Sequence, residues 1–441
     1  MTFNELNLNK SLLNALNDLG LSEPTSIQRK VFSPIMAGDD VVGIAQTGTG
    51  KTFAYLLPSL RLWQFTKSPF AQIIIMVPTR ELVVQVVEEA KKLTSYMNVQ
   101  IVGVYGGTNI RPQIDAVLAG VDVVVGTPGR LLDLMLKGAL KTKKAKRLII
   151  DEVDEMLHQG FRTQLNNIIE FLPEKRQNLM FSATMPSEVE EIINNYTSYY
   201  KKIEAAPSGA PLENIDQSAY EADNFNTKAN LLELLLSEDS SMSKVLVFVS
   251  SRRFAEALFE RMNLSFENKV GVIHSYKSQN NRFDAVQSFD KGEYRFLIAT
   301  DVIARGIDIS DITHVVNFDL PDVPEKYIHR IGRTGRAEQK GVAISFISNS
   351  EKKNKTQIES LMDKEIRWEE KPEGLIISEE LIDLEKPDII VPFNNHKVKE
   401  YKPTGDAFHE KLDKNKKVNR KVRHETKMQK KYGKQYRRKR K

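Results

Sequence analysis

The octapeptide Ala45-Gln46-Thr47-Gly48-Thr49-Gly50-Lys51-Thr52 combines the groups that a chain of phosphates needs. Its glycines let backbone N–H groups curl around phosphate oxygens, Lys51 can reach the terminal phosphates, and the Thr52 hydroxyl can ligate Mg²⁺. Ala45 stands where the general phosphate-loop pattern has its first glycine. A second cluster, Leu148-Ile149-Ile150-Asp151-Glu152, ends an apolar run in two carboxylates. Asp151 suits Mg²⁺, bound directly or through water, and Glu152 suits orienting and activating an attacking water. Together the two clusters point to hydrolysis of a nucleoside triphosphate. A third, His329-Arg330-Ile331-Gly332-Arg333-Thr334-Gly335-Arg336, sets Arg333 and Arg336 three residues apart beside Gly335. Phosphoryl transfer spreads charge over the equatorial oxygens, so a well-placed arginine is worth about 10³–10⁵ in rate.

Smaller motifs lie between these. Pro78-Thr79-Arg80-Glu81-Leu82, Gly106-Gly107 and Thr127-Pro128-Gly129-Arg130 supply hydroxyls, close-approach backbone and two guanidinium groups. Groups of these types contact phosphate and sugar and carry little base information.

The elements that must position these residues alternate in type. Strand-like runs occur at 41–44, 72–77, 99–104, 121–125, 147–150 and 177–181. Between them the apolar period is helical, as in 81–93, where Leu82, Val83, Val86, Val87, Ala90 and Leu93 recur at spacings of three and four. Such alternation predicts an α/β fold, a parallel sheet covered by helices on both faces, with ligands at the C-terminal strand edge. Two prolines and a glycine in Ala205-Ala206-Pro207-Ser208-Gly209-Ala210-Pro211 suit a linker. Alternation then resumes, with strands expected at 244–249, 270–274, 295–299, 314–318 and 342–347 and helices at 227–236, 252–262, 278–289 and 324–330. The expected plan is a first domain over 1–205, a linker over 206–216, a second domain over 217–365 and a C-terminal extension over 366–441.

Composition narrows the class. With 441 residues and no cysteine, the chain has no disulfide scaffold, cysteine-rich metal site or cysteine nucleophile, which suits a reducing, cytoplasmic setting. No apolar run approaches a membrane span, and Met1–Glu5 has no secretory character, so no membrane partner is expected. The formal charge of +6 is unevenly spread: residues 397–441 hold 19 Lys+Arg against five acids, a balance of +14, leaving −8 on the rest. A basic block of that kind suits polyanion binding; the plainer reading is a disordered, solvated tail that aids solubility.

Taken in order, the motifs resemble the DEAD-box family of ATP-dependent RNA helicases over roughly residues 3–340, with Asp151-Glu152-Val153-Asp154 as the signature and Val153 in place of alanine. Pro24-Thr25-Ser26-Ile27-Gln28, with Phe3 seventeen residues before Gly20, resembles the family's adenine-reading segment, although Leu21 stands where an aromatic is common. The resemblance implies two tandem RecA-like domains, the P-loop helicase core, with ATP and Mg²⁺ as cofactors. It implies that Gln28 bonds the adenine edge, Phe3 packs on the ring and Ala45–Thr52 hold the phosphates. Ser182-Ala183-Thr184, with Asp154, would link hydrolysis to strand separation. Asp308 would contact the ribose, Arg333 and Arg336 would act as arginine fingers, and His329 would sense the γ-phosphate. RNA would meet the three first-domain motifs together with Ser251, Arg252, Gln279, Arg282, Thr300 and Asp301. Ser275 departs from the family's glycine after His274.

An ATP site divided between two domains makes ATP and RNA prefer the same closed state, so they bind cooperatively. The expected activity is RNA-stimulated ATP hydrolysis that locally unwinds short duplexes and remodels RNA or ribonucleoprotein. The rival from a different class is a non-catalytic RNA-binding or annealing protein using ATP as a clamp. A GTPase is disfavoured because no Asn-Lys-x-Asp segment is present, and a DNA helicase because of Gln28 and the octet at His329. Short connections and a basic tail resemble the bacterial RhlE-like group, which implies ribosomal precursors or RNA-degradation machinery as partners and a monomeric protein.

Overall fold

Aliphatic strands buried on both faces set the architecture of a computed structural model that describes residues 1–45, 48–197, 199–205, 214–301, 309, 311–335 and 340–386. Gln46, Thr47, Asp308 and Arg336 of the expected site, residues 206–213 of the expected linker and the basic tail lie outside the described residues.

The first sheet comprises β1 (Val41–Ile44), β2 (Ile73–Met76), β3 (Ile101–Val104), β4 (Val123–Gly126), β5 (Arg147–Ile150), β6 (Gln177–Ser182) and β7 (Lys201–Glu204). All pairings are parallel, in the order β3-β4-β2-β5-β6-β1-β7. Alternate residues feed opposite faces: Ile73 and Ile75 enter one core, Ile74 and Met76 the other. Burial on both faces explains why the central strands read as unbroken apolar runs.

The second sheet repeats the plan with β8 (Ile215–Glu221), β9 (Val245–Val249), β10 (Val270–Ile273), β11 (Phe296–Thr300), β12 (His314–Asn317), β13 (Gly341–Ile347) and β14 (Arg367–Trp368). Its order, again parallel, is β10-β11-β9-β12-β13-β8-β14. Two boundaries move relative to the sequence reading. Ile215 and Asp216, expected in the linker, open β8 because Ile215 is buried in the second core. Beyond residue 365, Ile366 is buried and β14 pairs with β8. The chain then follows helix Phe225–Glu238, where Asn224, Asn226 and Asn230 donate to the carbonyls of Ser378, Glu380 and Ile376. No described helix is long and apolar enough to cross a membrane.

Parallel strands connected by helices bring the first lobe's strand-end motifs to one edge. The phosphate loop follows β1, Pro78–Leu82 follows β2, Gly106-Gly107 follows β3, Thr127–Arg130 follows β4, Asp151-Glu152 follows β5, and Ser182 ends β6. That is the C-terminal strand edge, where open parallel sheets bind ligands.

Candidate nucleotide site and nucleic-acid interface

The phosphate loop is shaped by Gly48 and Gly50, at φ +81° and +86°, and Gly50 caps helix Lys51–Arg61. A Cβ on Gly50 would lie 2.5 Å from Gln28 Nε2, so the loop packs directly on that amide. Gln28 is the third residue of helix Ser26–Ala37 and completes a capping box with Thr25. Its Oε1 accepts from Thr25 N (3.0 Å) and its Nε2 donates to the Gly50 carbonyl (3.1 Å), tying the expected adenine reader to the loop. Phe3 is buried in the first core and its N–H donates to Ser22 O (3.1 Å), which pins the N-terminal segment above that helix.

Lys51 is 7% exposed, and its ammonium has no hydrogen-bond partner among the described residues. A buried, unpartnered ammonium is costly, and a phosphate oxygen is the group that satisfies it. Asp151 is 3% exposed; burial, reinforced by Glu152 and opposed by Lys51, pushes its carboxyl up to about 6. Glu152 sits at φ 50°, ψ 54°, a left-handed conformation that costs a non-glycine residue about 1–2 kcal/mol, and its Oε2 is buried without a partner. Beneath them the fully buried Tyr55 hydroxyl is held well above the usual tyrosine range, by burial first and by the Asp151 charge second.

Two crowded carboxylates, one reluctant to ionise, fit a divalent cation. Mg²⁺ favours one or two carboxylates plus substrate phosphates over an all-protein cage. Accordingly, no group of three acidic or histidine ligands occurs among the described residues, and Thr52 and Asp151 are the side chains that would share the ion with the phosphates.

Asp154 joins this site to its surroundings. It is 1% exposed, and its Oδ2 accepts from Thr184 N (3.0 Å) and Thr184 Oγ1 (2.8 Å), while its N–H donates to Ser182 Oγ (3.3 Å). The same Oδ2 lies 3.4 Å from Nε2 of His329, which belongs to the second lobe. Burial alone would raise this carboxyl; the adjacent imidazole of His329, with Lys51 and Thr184, outweighs it and holds the group below the usual aspartate range. Arg333, 5% exposed, follows on the same segment, and Thr334 Oγ1 donates to Ile312 O (2.5 Å) to fix the turn.

The three first-lobe nucleic-acid motifs, with Gln279 and Arg282, gather in one cleft of about 670 Å³ between the lobes, whose lining does not include Pro128, Ser251, Arg252, Thr300 or Asp301. Pro78, Thr79, Arg80, Gly106, Gly107, Thr127, Gly129 and Arg130 line it from the first lobe, and Gln279 and Arg282 from the second. Gly107 has φ +75°, and a Cβ there would lie 2.1–2.3 Å from the Arg80 guanidinium; Arg130 Nη2 donates to Thr108 O (2.9 Å). The two arginines therefore brace the glycine loop as well as charging the cleft. Pro128 opens helix Pro128–Leu136 and Ser251 caps helix Arg252–Ser265, while Arg252 stacks on Tyr276 at 3.7 Å. Thr300 ends β11, and the Asp301 carboxylate is gripped in two-pronged fashion by Arg330 (2.5 and 2.9 Å).

Sequence reading overlooked Glu81 and Arg330 as site residues. Glu81, buried, receives Gln279 Nε2 (3.2 Å) and Arg282 Nη1 (3.0 Å) across the lobes. An acid in a helix's first turn normally reads as a dipole partner, which hid it. Arg330, 2% exposed, also donates to Asn317 Oδ1 (3.2 Å) and Asp319 O (2.6 Å). Its place inside the octet was the available signal.

Comparison with known proteins agrees with this geometry. Residues 25–192 match the DEAD/DEAH box helicase family and residues 227–338 the helicase conserved C-terminal domain. The DEAD-box ATP-dependent RNA helicase CshA of Bacillus cereus (strain ATCC 10987 / NRS 248) is 39% identical over 353 residues, 79% of this chain; the chain spans 66% of that protein's length. The ATP-dependent RNA helicase DbpA of Bacillus subtilis (strain 168) is 35% identical over 395 residues, covering 89% of this chain and 80% of DbpA. Among solved structures, S. cerevisiae Dbp5 bound to RNA and ADP BeF3 superposes with a TM-score of 0.77 at 29% identity, over 83% of this chain and 95% of Dbp5.

Proposed function

The chain belongs to the DEAD-box family of ATP-dependent RNA helicases, and on that premise we propose that it hydrolyses ATP in response to RNA and uses the cycle to open short duplexes locally. The observation that carries the reading is Asp154, three residues from Asp151: its N–H donates to Ser182 Oγ, and its buried carboxylate accepts from Thr184 and faces His329 of the second lobe.

In this reading Lys51 neutralises the terminal phosphates and the glycine backbone cradles them. Glu152, aimed by its left-handed backbone, orients the attacking water and takes its proton. Mg²⁺, held with the phosphates by Thr52 and Asp151, would supply charge neutralisation for the leaving group. Arg333, with Arg336, brings positive charge from the second lobe, so turnover requires the lobes together. RNA contacts Arg80, Gly107, Thr127 and Arg130 on one lobe and Gln279 and Arg282 on the other, which favours the same joined state. Loss of the γ-phosphate releases it.

The substitution Glu152→Gln separates this from a clamp that never turns over. Turnover in saturating RNA is expected to fall about 100-fold or more, while ATP-dependent RNA binding persists. Hydrolysis by the unaltered chain that ignores RNA, or answers only to DNA, overturns the proposal.

A further inference from the structure

The strand edge opposite the motifs carries a charge pattern that the nucleotide cycle does not use. From Lys137 to Arg147 the chain has six cations in eleven residues and no acid, within a body of residues 1–396 whose balance is −8. Lys141, Lys143, Lys144 and Lys146 are exposed, as is Lys67 on the loop entering β2. Among the described residues none of these five forms an ion pair. Of the acids on this edge, Asp122 is buried and accepts from Gln100 N (2.9 Å), Asp40 accepts from Asn178 N (2.7 Å), Asp39 pairs with Lys201 (2.7 Å), and Glu174 is exposed beside Lys175.

The backbone beneath the lysines is fixed. Ala71 N donates to Lys141 O (3.2 Å), Lys146 N to Gln72 O (2.8 Å), and Thr142 Oγ1 to Phe171 O (2.6 Å), so three loops form one platform. Charges displayed on an ordered platform lose less entropy on binding than charges on a flexible chain. Aromatic rings are interleaved with them. Lys141 and Lys144 sit 6.0 and 5.4 Å from the Phe70 centroid, and Phe65 is 61% exposed, edge-on to Trp63 at 6.4 Å. Beside Phe65 opens a recess of about 230 Å³, lined also by Lys67, Asn98, Gln100 and Asp122.

We propose that this edge is a second RNA site, where the lysines hold single-stranded phosphate backbone and an unpaired base stacks on Phe65. It rests on the reading of the chain as an RNA-acting protein. Lysines alone would suit any anionic surface; the exposed ring and the adjoining recess suit stacked, hydrogen-bonding bases rather than lipid headgroups. The described phosphate-binding groups of the first lobe, Gly48 to Thr52 with Asp151, stand on the other edge, so this contact holds RNA with or without nucleotide. A strand kept here stays at high local concentration near the cleft while the lobes cycle.

The test uses the full chain without nucleotide and a hairpin RNA with a long single-stranded flank. The quadruple variant K141Q/K143Q/K144Q/K146Q is compared with a scattered control of equal charge change, K10Q/K91Q/K291Q/K353Q. Each phosphate contact on a single strand contributes about 0.7 to the salt slope, so the quadruple variant should bind about tenfold more weakly with a slope lower by about 3, and the control should stay near the unaltered chain. Phe65→Ala should weaken binding about fivefold without changing that slope. Unfolding midpoints check that the fold is kept. Equal affinity of quadruple variant and unaltered chain, equal loss in the scattered control, or tighter binding to anionic lipid vesicles than to RNA overturns the site. RNA-stimulated ATP hydrolysis of the unaltered chain on the same RNA tells this failure from failure of the functional reading.

Discussion

The two edges of the first sheet put charge to opposite uses. On the C-terminal edge charges are buried and placed: Lys51 is 7% exposed, Asp151 3% and Asp154 1%. Each depends on a local feature, a left-handed Glu152, a left-handed Gly50 or the Thr184 hydroxyl. On the N-terminal edge the lysines are exposed and unpaired, and only the backbone beneath them is ordered. Buried charge is expensive unless bonded, so it is retained where a direction matters, at a reacting phosphate. Exposed charge is cheap and screened by salt, and it gives affinity without direction. Substitutions on the first edge should therefore damage both stability and coupling, and those on the second should touch binding or local packing alone.

Asp154→Ala should have the largest effect. It strands the Thr184 N–H and hydroxyl and leaves His329 facing no carboxylate. Removing one member of a buried charged network costs about 3–5 kcal/mol, which lowers the melting temperature of a lobe of this size by roughly 10 °C. RNA should no longer stimulate hydrolysis. The pH dependence has a definite sign. Because the folded carboxyl titrates below its usual range, its contribution is present above about pH 4 and disappears as pH falls through the folded value. The melting gap between the two proteins should thus be full at pH 7 and narrow on acidification. A variant that melts with the unaltered chain and still responds to RNA would remove the distinction between the edges.

Gly107→Ala comes next. The left-handed backbone at φ +75° costs an alanine about 1–2 kcal/mol, and the new methyl must displace the Arg80 guanidinium. Both effects fall on the interlobe cleft, so the RNA concentration for half-maximal ATPase should rise about tenfold while turnover at saturating RNA changes little. Titrating RNA in a steady-state ATPase assay decides it; an unchanged midpoint would mean the glycine loop does not carry RNA.

Much of the C-terminal edge was legible because loops after parallel strands combine glycine, hydroxyl and charge in fixed order. The central strands were legible because burial on both faces leaves unbroken apolar runs, as in Ile73–Met76. The strands at one margin of each sheet, β7 in the first and β8 and β14 in the second, were not. In β7, Lys-Lys-Ile-Glu is half-exposed and reads as a loop, and β8, Ile-Asp-Gln-Ser-Ala-Tyr-Glu, near the sheet margin, is too polar to read as a buried strand. Glu81 and Arg330 escaped for another reason: their partners, Arg282 and Asp301, are 201 and 29 residues away, and pattern within one element cannot register such pairs. The lysine platform is visible in sequence as a charge run, but only the hydrogen bonds joining three loops distinguish it from a solvated surface.

Thr142→Val tests the quiet side of the comparison and should have the smallest effect. Thr142 is buried, and its hydroxyl donates to Phe171 O at 2.6 Å, linking the loop before β5 to the loop before β6. Valine keeps the shape and deletes the donor. Phe171 itself is 39% exposed, so its carbonyl can turn to water and the loss is one ordinary hydrogen bond, about 1 kcal/mol. For a lobe of this size that lowers the melting temperature by about 2–4 °C. Nothing on the C-terminal edge depends on this bond: the nearest strand, β5, runs from Arg147 to Ile150 before Asp151 is reached, and its residues stay buried in either case. ATPase turnover and the RNA midpoint should therefore equal those of the unaltered chain. Were turnover to fall while melting stayed constant, strain would be passing along β5 from one edge to the other, and the separation of affinity from chemistry would fail at its mildest perturbation.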